Sequence, residues 1–372
     1  MNVLITGGAG FVGSHTADAL LARGHHVRVF DNLDPQVHGL NAGIPDYLDP
    51  EVEFIQGDVR DREALRKALQ GMDTVYHLAA AVGVGQSMYE IYHYVDVNSL
   101  GGSVLLDILA NEKHKVQKVV VASSMSIYGE GQYLCDGCGV VYPNLRAPSQ
   151  LEARDWEMKC PKCLQTVRSV PTSETKPLFP TSIYAITKRD HEEMFLTTGR
   201  AYDIPTVALR YFNIYGSRQS LSNPYTGVVA IFSSRLMNHK APIIFEDGLQ
   251  SRDFVNVKDI VQANLLALEK EEADFETFNV GTGIPTSICT AGEVLREKLA
   301  PECELLVLGQ YRIGDIRHCY ADIRKITTRL NYAPTVSLSE GMDELLRWVS
   351  TQQADDMVET AKTQLLERNL VK

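Results

Sequence analysis

The sequence is short of positive charge: 36 Lys and Arg stand against 47 Asp and Glu, a formal net charge of -11. A protein that tracks a nucleic-acid backbone or an anionic membrane surface needs a basic face. Both are therefore excluded as general partners, although a local basic pocket for phosphates is not. Long apolar runs are also missing; none approaches the roughly 20 residues of a membrane span. Only Met1 and Asn2 precede the first apolar run, with no basic stretch and cleavage signal of a secretory leader, so a soluble, cytoplasmic protein is expected. Seven cysteines are an odd number, and without a secretion signal they argue against a disulfide framework. Internal repeats and low-complexity segments are lacking as well. What remains is ample for a core: 372 residues, 44% of them hydrophobic, suffice for one large domain or two modest ones.

The first half alternates short apolar stretches with helical patterns. "NVLIT", "HVRVF", "VEFIQ", "TVYHLA" and "VQKVVVASS" read as strands, while Phe11–Arg23 and "NSLGGSVLLDILANE" read as helices. This rhythm predicts an α/β fold: a doubly wound, mostly parallel sheet covered by helices on both faces. Residues 131–171 break the rhythm and read as an insertion. Beyond it, a helix over 181–202, a sixth strand "PTVALRYF", the amphipathic "VKDIVQANLLALEK" and a strand "TFNVG" follow. The chain thus divides into a nucleotide-binding region at 1–180 containing the insertion, a region at 181–350 that completes the sheet and adds a smaller ligand-binding part, and a helical tail at 351–372.

"ITGGAGFVG" places Gly7, Gly10 and Gly13 between a strand and a helix. One glycine permits the turn, one lets the backbone approach a pyrophosphate, and one lets the helix pack on the sheet. The helix N-terminus supplies free N–H groups for the phosphates. Asp31 ends the second strand, where a carboxylate can accept from the adenosine ribose and would repel a 2′-phosphate, favouring NAD over NADP. Asp58, in "QGDVRD", could meet the adenine edge; as a helix cap, Asp61 fits better. Tyr184 and Lys188 in "SIYAITKRD" lie one helical turn apart and share a face, so phenol and ammonium can converge on one ligand. The Lys cation and an oxidised nicotinamide are expected to lower a phenol pKa that is otherwise about 10. Ser123 and Ser124 end the fifth strand, where open parallel sheets place ligand-binding groups, and a Ser hydroxyl there could hold the reacting oxygen.

Cys135-x2-Cys138 and Cys160-x2-Cys163 can form two thiolate knuckles, which together make a four-sulfur tetrahedral site suited to zinc. With every position filled by protein, such a site is structural. Gln132 to Thr172 carries five Lys and Arg against four Asp and Glu, which gives a nucleic-acid-binding ribbon little support. Cys289, Cys303 and Cys319 are scattered and expected to be ordinary packed thiols.

The motifs "TGGAGFVG", "DNL", "GDVRD", "HLAA", "SSMSIYG", "YAITK", "RYFNIYG", "RDFVNVKD", "FNVGTG" and "RIGDIRH" together resemble the extended short-chain dehydrogenase/reductase family, in its nucleotide-sugar epimerase and dehydratase branch. The resemblance covers residues 1–350 apart from the insertion. It implies that Ser124, Tyr184 and Lys188 are catalytic. It implies cofactor contacts from Phe11, Val12, Asn32, Val59, Leu78, Ala79 and Ala80, more remotely from Asn98, and near the nicotinamide from Tyr211 and Asn213. Substrate contacts are implied for Ser87, Ser126 and Asn213, with Arg252 and Arg312 gripping the diphosphate and Asp315 bonding the nucleotide ribose or orienting an Arg.

Met125 and Ser126 stand where the family's 4,6-dehydratases carry Asp-Glu and cannot do that acid–base work; uronate decarboxylases usually carry Glu at Ser126. What remains is C4 epimerisation through a transient 4-keto sugar, with tightly bound NAD regenerated each turnover. A cysteine-bearing insertion of this kind is associated with enzymes resembling dTDP-L-rhamnose 4-epimerase, which makes that sugar nucleotide the leading expectation. UDP-glucose, UDP-N-acetylglucosamine and UDP-glucuronate are alternatives, as is a 4-keto-sugar reductase. A non-enzymatic NAD(H)-sensing regulator is disfavoured because Tyr184 and Lys188 are both present. By analogy with the family, a homodimer through helices near Ser99–Asn111 and Thr187–Tyr202 is expected.

Overall fold

The computed structural model describes all 372 residues. Its centre is a seven-stranded sheet. The first five strands in the chain are β1 (Asn2–Thr6), β2 (His26–Asp31), β3 (Glu53–Gln56), β4 (Thr74–His77) and β5 (Lys118–Ser124). Strands Thr206–Tyr211 and Thr277–Val280 then extend the edge beside β5, giving the order Thr277–Val280, Thr206–Tyr211, β5, β4, β1, β2, β3. Every pairing is parallel. The expected doubly wound parallel sheet is therefore present.

Parallel strands covered on both faces read as continuous apolar runs rather than alternating ones. β5 is buried along its whole length. Successive residues still serve opposite faces: Val3 and Ile5 pack with Ala17, Leu20 and the Val257–Glu269 helix, whereas Leu4 packs with Leu65, Leu105 and Phe195. The chain leaves β1 to one side through β2 and to the other through β4. The C-terminal ends of these strands meet at that switch point, where open α/β sheets take their ligands.

A separate core lies beyond the sheet. Phe232, Ile244, Phe254, Ile288, Leu295 and Met342 unite the helices Val228–Met237, Ile288–Leu299 and Leu338–Val349. Beside it a short strand, Leu306–Val307, pairs in parallel with Ile243–Ile244.

The inserted region folds into a three-stranded antiparallel sheet, with Gln132–Cys135 between Gly139–Val141 and Arg168–Val170. Its core is small: Tyr133, Cys135, Val141, Met158, Cys160 and Val167. The C-terminal tail forms a helix, Val358–Glu367. Its last residues then pair backbone to backbone with the 311–313 segment: the Tyr311 N–H donates to the Lys372 carbonyl, and the Ile313 N–H to that of Leu370, each at 2.9 Å. No helix is long and apolar enough to cross a membrane.

Candidate active site

β1 delivers the chain into the glycine loop. Gly7 takes φ +70°, and a Cβ there would sit 2.7 Å from the backbone of Ala79. A Cβ on Gly13 would sit 2.4 Å from the Gly7 carbonyl oxygen. Both positions exclude a side chain, as a backbone that must approach a ligand and a neighbouring strand requires. The helix α1 (Phe11–Leu21) begins at Gly10 with no side-chain cap, which leaves its first N–H groups open to an anion.

Asp31 ends β2 and is buried. It accepts from the Ala9 N–H at 3.0 Å and the Leu33 N–H at 2.9 Å, so it ties the loop to the sheet and keeps further lone pairs for a hydroxyl. Asp58 accepts from the Arg60 guanidinium at 2.8 Å and from the Asn32 amide at 3.1 Å. The Arg60 bond holds its carboxyl down at about 2. Asp61, not Asp58, caps the following helix, accepting from Glu63 and Ala64. The glycine loop, Phe11, Val12, Asp31, Asn32, Asp58, Val59 and Leu78–Ala80 all line one cavity of about 660 Å³.

The choice between Ser123 and Ser124 follows from strand parity. The Ser123 hydroxyl donates to Glu192 at 2.7 Å within the buried Glu192–Arg210 pair. Ser124, on the opposite side, accepts from the Ser126 hydroxyl at 2.9 Å and faces the Tyr184 phenol. Tyr184 lies in the first turn of the helix Ile183–Ala201, which Ser182 caps through the Ala185 N–H. One turn later Lys188 donates to the Ala122 carbonyl at 3.0 Å.

Burial pushes the Tyr184 phenol up to about 12, with the nearby Ser124 hydroxyl opposing, and pushes the Lys188 ammonium down to about 8. The expected lowering rested on Lys188 and an oxidised nicotinamide together; Lys188 by itself does not bring it about. The ammonium is turned to a carbonyl, and desolvation dominates.

Two of the expected contact residues lie behind the cavity wall. Ser87 does not line the cavity: its hydroxyl donates to the Val84 carbonyl and accepts from the Tyr184 N–H at 3.0 Å, so it fixes the helix that carries Tyr184. Asn98 is wholly buried in a turn of π-helix, Val95–Leu100. It clamps Ala81 from both sides, accepting from its N–H at 2.8 Å and donating to its carbonyl at 3.1 Å. It thus shapes the loop after β4 without reaching the cavity.

The cavity continues past Ser126, Tyr211 and Asn213 to Arg252, Arg312 and Asp315. Tyr211 spends its hydroxyl on Asn264 at 2.6 Å. The Asn213 side-chain oxygen is buried without a partner, an acceptor left for a ligand. Arg252 donates to the Ile316 carbonyl at 2.8 Å and the Arg317 carbonyl at 3.0 Å. Arg312 lies over the Phe245 ring and donates to Asp315 at 2.7 Å.

Sequence reasoning missed the tail, from which Val358, Ala361, Lys362 and Leu365 line the same cavity. It is tied down by Arg235, which pairs with Glu359 at 2.9 Å, and by Gln364, which accepts from both the Tyr89 and Tyr225 hydroxyls.

The sulfurs of Cys135, Cys138, Cys160 and Cys163 all lie within 4.8 Å of one another, and none of the four lines the cavity. A tetrahedral zinc with bonds of about 2.3 Å needs its sulfurs about 4 Å apart, so the quartet fits such an ion.

The profile of the NAD dependent epimerase/dehydratase family matches residues 3–144 and 161–281. A dTDP-L-rhamnose 4-epimerase of Burkholderia thailandensis is 35% identical over 94% of this chain and 95% of its own. Among solved structures, a UDP-glucose 4-epimerase of Thermotoga maritima with UDP-glucose superposes with a TM-score of 0.75 at 32% identity, covering 94% of this chain and 99% of that one. A UDP-glucuronic acid 4-epimerase of Bacillus cereus, in complex with UDP-glucuronic acid and NAD, superposes with a TM-score of 0.74 at 28% identity, covering 94% and 99%. On the sequence match and the shared architecture together, this chain belongs to the NAD dependent epimerase/dehydratase family.

Proposed function

We propose that the chain is an NAD-dependent nucleotide-sugar 4-epimerase of the cytoplasm, with dTDP-L-rhamnose as its substrate and UDP-sugars as the alternative class. The single observation that carries the reaction type is the meeting of Ser124, Tyr184 and Lys188 in a cavity that runs from the glycine loop to the two arginines. The Burkholderia relative supports the choice of sugar.

The glycine loop and the α1 N-terminus would hold the NAD pyrophosphate, and Asp31 the adenosine ribose. When bound, NAD supplies reversible hydride acceptance at the sugar C4. Tyr184 takes the C4 hydroxyl proton and later gives it back. Ser124 holds the same oxygen, and Lys188 supplies positive charge behind the phenol. A phenol is already protonated near pH 7 and burial raises its pKa further, so proton removal is tied to a bound cation beside it.

Arg252 and Arg312 present planar forks to the diphosphate, and Asn213 offers its unpaired oxygen. Met125 and Ser126 give the site no acid or base for C5 and C6, which supports epimerisation over dehydration.

The cysteine quartet would hold a zinc ion that ties the insertion together. Ile91, Tyr92, Val95, Leu100 and Ile186 leave apolar surface exposed on neighbouring helices, which supports a homodimer through that face.

A panel of dTDP- and UDP-sugars, incubated without added cofactor and read by NMR, tests this reading. The expected result is a C4 epimer with no net consumption of NADH. Tyr184→Phe should retain NAD and lose conversion by roughly 10²–10⁴-fold. Full conversion by that variant would overturn the mechanism.

A further inference from the structure

We infer that Glu157, a residue of the cysteine module, is a positioning residue for the diphosphate-gripping Arg252 and acts on it through Arg317. This rests on the nucleotide-sugar reading and adds to it a task for the module.

Arg252 is held in place by its neighbours. Its guanidinium is fixed by main-chain carbonyls: Ile316 at 2.8 Å, Arg317 at 3.0 Å and its own neighbour Ser251 at 2.8 Å. The strand Ser251–Arg252 also pairs with His318–Cys319. Wherever residues 316–318 sit, the Arg252 fork follows.

What fixes residues 316–318 is the Arg317 side chain. It is completely buried. Three carboxylates surround it: Asp247 at 2.6 and 2.9 Å, Glu157 at 2.6 Å and Glu246 at 3.1 Å. A buried guanidinium is tolerated only with such pairing. Two of the three carboxylates come from the body of the protein. The third, Glu157, comes from the insertion.

Glu157 is held in turn by the module. Its neighbour Met158 is buried in the small core and accepts from the Val167 N–H at 3.0 Å; Cys160 of the sulfur quartet is three residues on. A second strut runs parallel to it. Arg146, also of the insertion, pairs bidentately with Glu246 at 2.8 Å through each arm and donates to the Asp315 carbonyl at 3.3 Å. The module therefore grips the 315–318 segment by one ion pair, Glu157 to Arg317, and by one hydrogen bond, Arg146 to the Asp315 carbonyl.

Magnitude separates this from a merely structural contact. Glu157 is 44% exposed, and Arg317 keeps two other carboxylates when it is lost, so Glu157→Gln should fold. The expected effect is a small displacement of Arg252 that weakens diphosphate binding.

The test uses the full-length protein and measures binding of dTDP and of UDP by calorimetry, beside KM and kcat for the sugar substrate. Glu157→Gln should raise Kd for the diphosphate and KM roughly fivefold, with kcat within about twofold. Bound NAD and zinc content should not change. In a Cys135→Ser/Cys138→Ser background, which loosens the module, Glu157→Gln should add little, because both changes cut one connection.

Equal diphosphate affinity in Glu157→Gln and wild type would overturn the inference, as would a loss confined to kcat. Fully additive losses in the combined variant would overturn the route through the module. A wild-type protein that binds neither dTDP nor UDP would instead overturn the nucleotide-sugar reading, and this inference with it.

Discussion

At the glycine end of the cavity the backbone does the holding, whereas at the arginine end the side chains do, and each of those is held by something else. Gly7, Gly10 and Gly13 lie within seven consecutive residues, and Asp31, Ser124 and Tyr211 all stand at the ends of strands of one sheet. The arginine end has no such frame. Arg252 sits in a short three-stranded sheet, Arg312 in a loop, and the segment between Tyr311 and His318 is gripped on one side by the cysteine module and on the other by the returning C-terminus. A device made of backbone is rigid because the sheet is rigid. A device made of arginines needs struts, and the insertion and the tail supply them.

The sharpest way to break this contrast is to add one methyl group at the glycine end. A Cβ at Gly13 would meet the Gly7 carbonyl at 2.4 Å, a distance that a main-chain atom cannot relax cheaply. Gly13→Ala should cost about 1–3 kcal/mol in loop geometry, a ten- to hundredfold loss of NAD affinity. Binding of dTDP at the arginine end should change by less than about threefold. NAD content of the purified protein and calorimetry with dTDP check both halves. A variant that loses both ligands equally would show that the two ends are not independent devices.

The same contrast explains what could be read from the residues alone. The glycine pattern, the Tyr184–Lys188 pair and the four cysteines were legible because each is a local spacing, and spacing survives in a string of letters. Ser123 and Ser124 could be told apart only by resemblance; in the structure, parity along β5 and the Glu192–Arg210 pair decide it. Ser87 and Asn98 were named only through the resemblance, and their partners on the helix that carries the phenol, the Tyr184 N–H and the Thr187 hydroxyl, lie 97 and 89 positions away. The tail was legible as a helix and not as a wall of the cavity. A mostly polar helix carries no sign of its docking site, and here that site is set by Arg235, Tyr89 and Tyr225.

The tail offers the next measurement down in size. Removing residues 356–372 would strip Val358, Ala361 and Leu365 from the cavity wall and free the 311–313 backbone from its partner. It would also leave Arg235 without Glu359 and Asp356. The sugar-nucleotide KM should rise about tenfold, or about 1.4 kcal/mol. NAD content should stay at the wild-type level. Loss of NAD on truncation would mean that the tail braces the whole cavity rather than its arginine end.

The smallest expected effect compares one carboxylate from each end. Asp58 at the glycine end and Glu157 at the arginine end are both held near about 2, Asp58 first by Arg60 and Glu157 first by His318, then by Arg317. A carboxyl whose pKa is depressed on folding contributes stability that is full above its unfolded value and is lost as pH falls through its folded one. For Asp58 that window runs from about 3.8 down to about 2, and for Glu157 from about 4.5 down to about 2. Both groups are partly open to solvent, so each contribution should stay below about 1 kcal/mol. Urea unfolding followed from pH 6 to pH 2.5 should therefore show a shallower acid loss for Asp58→Asn and for Glu157→Gln than for wild type. Only Glu157→Gln should also flatten the acid dependence of dTDP binding. If Asp58→Asn flattened it equally, acid would be acting on the sheet common to both ends, and the arginine end would not depend on its own struts.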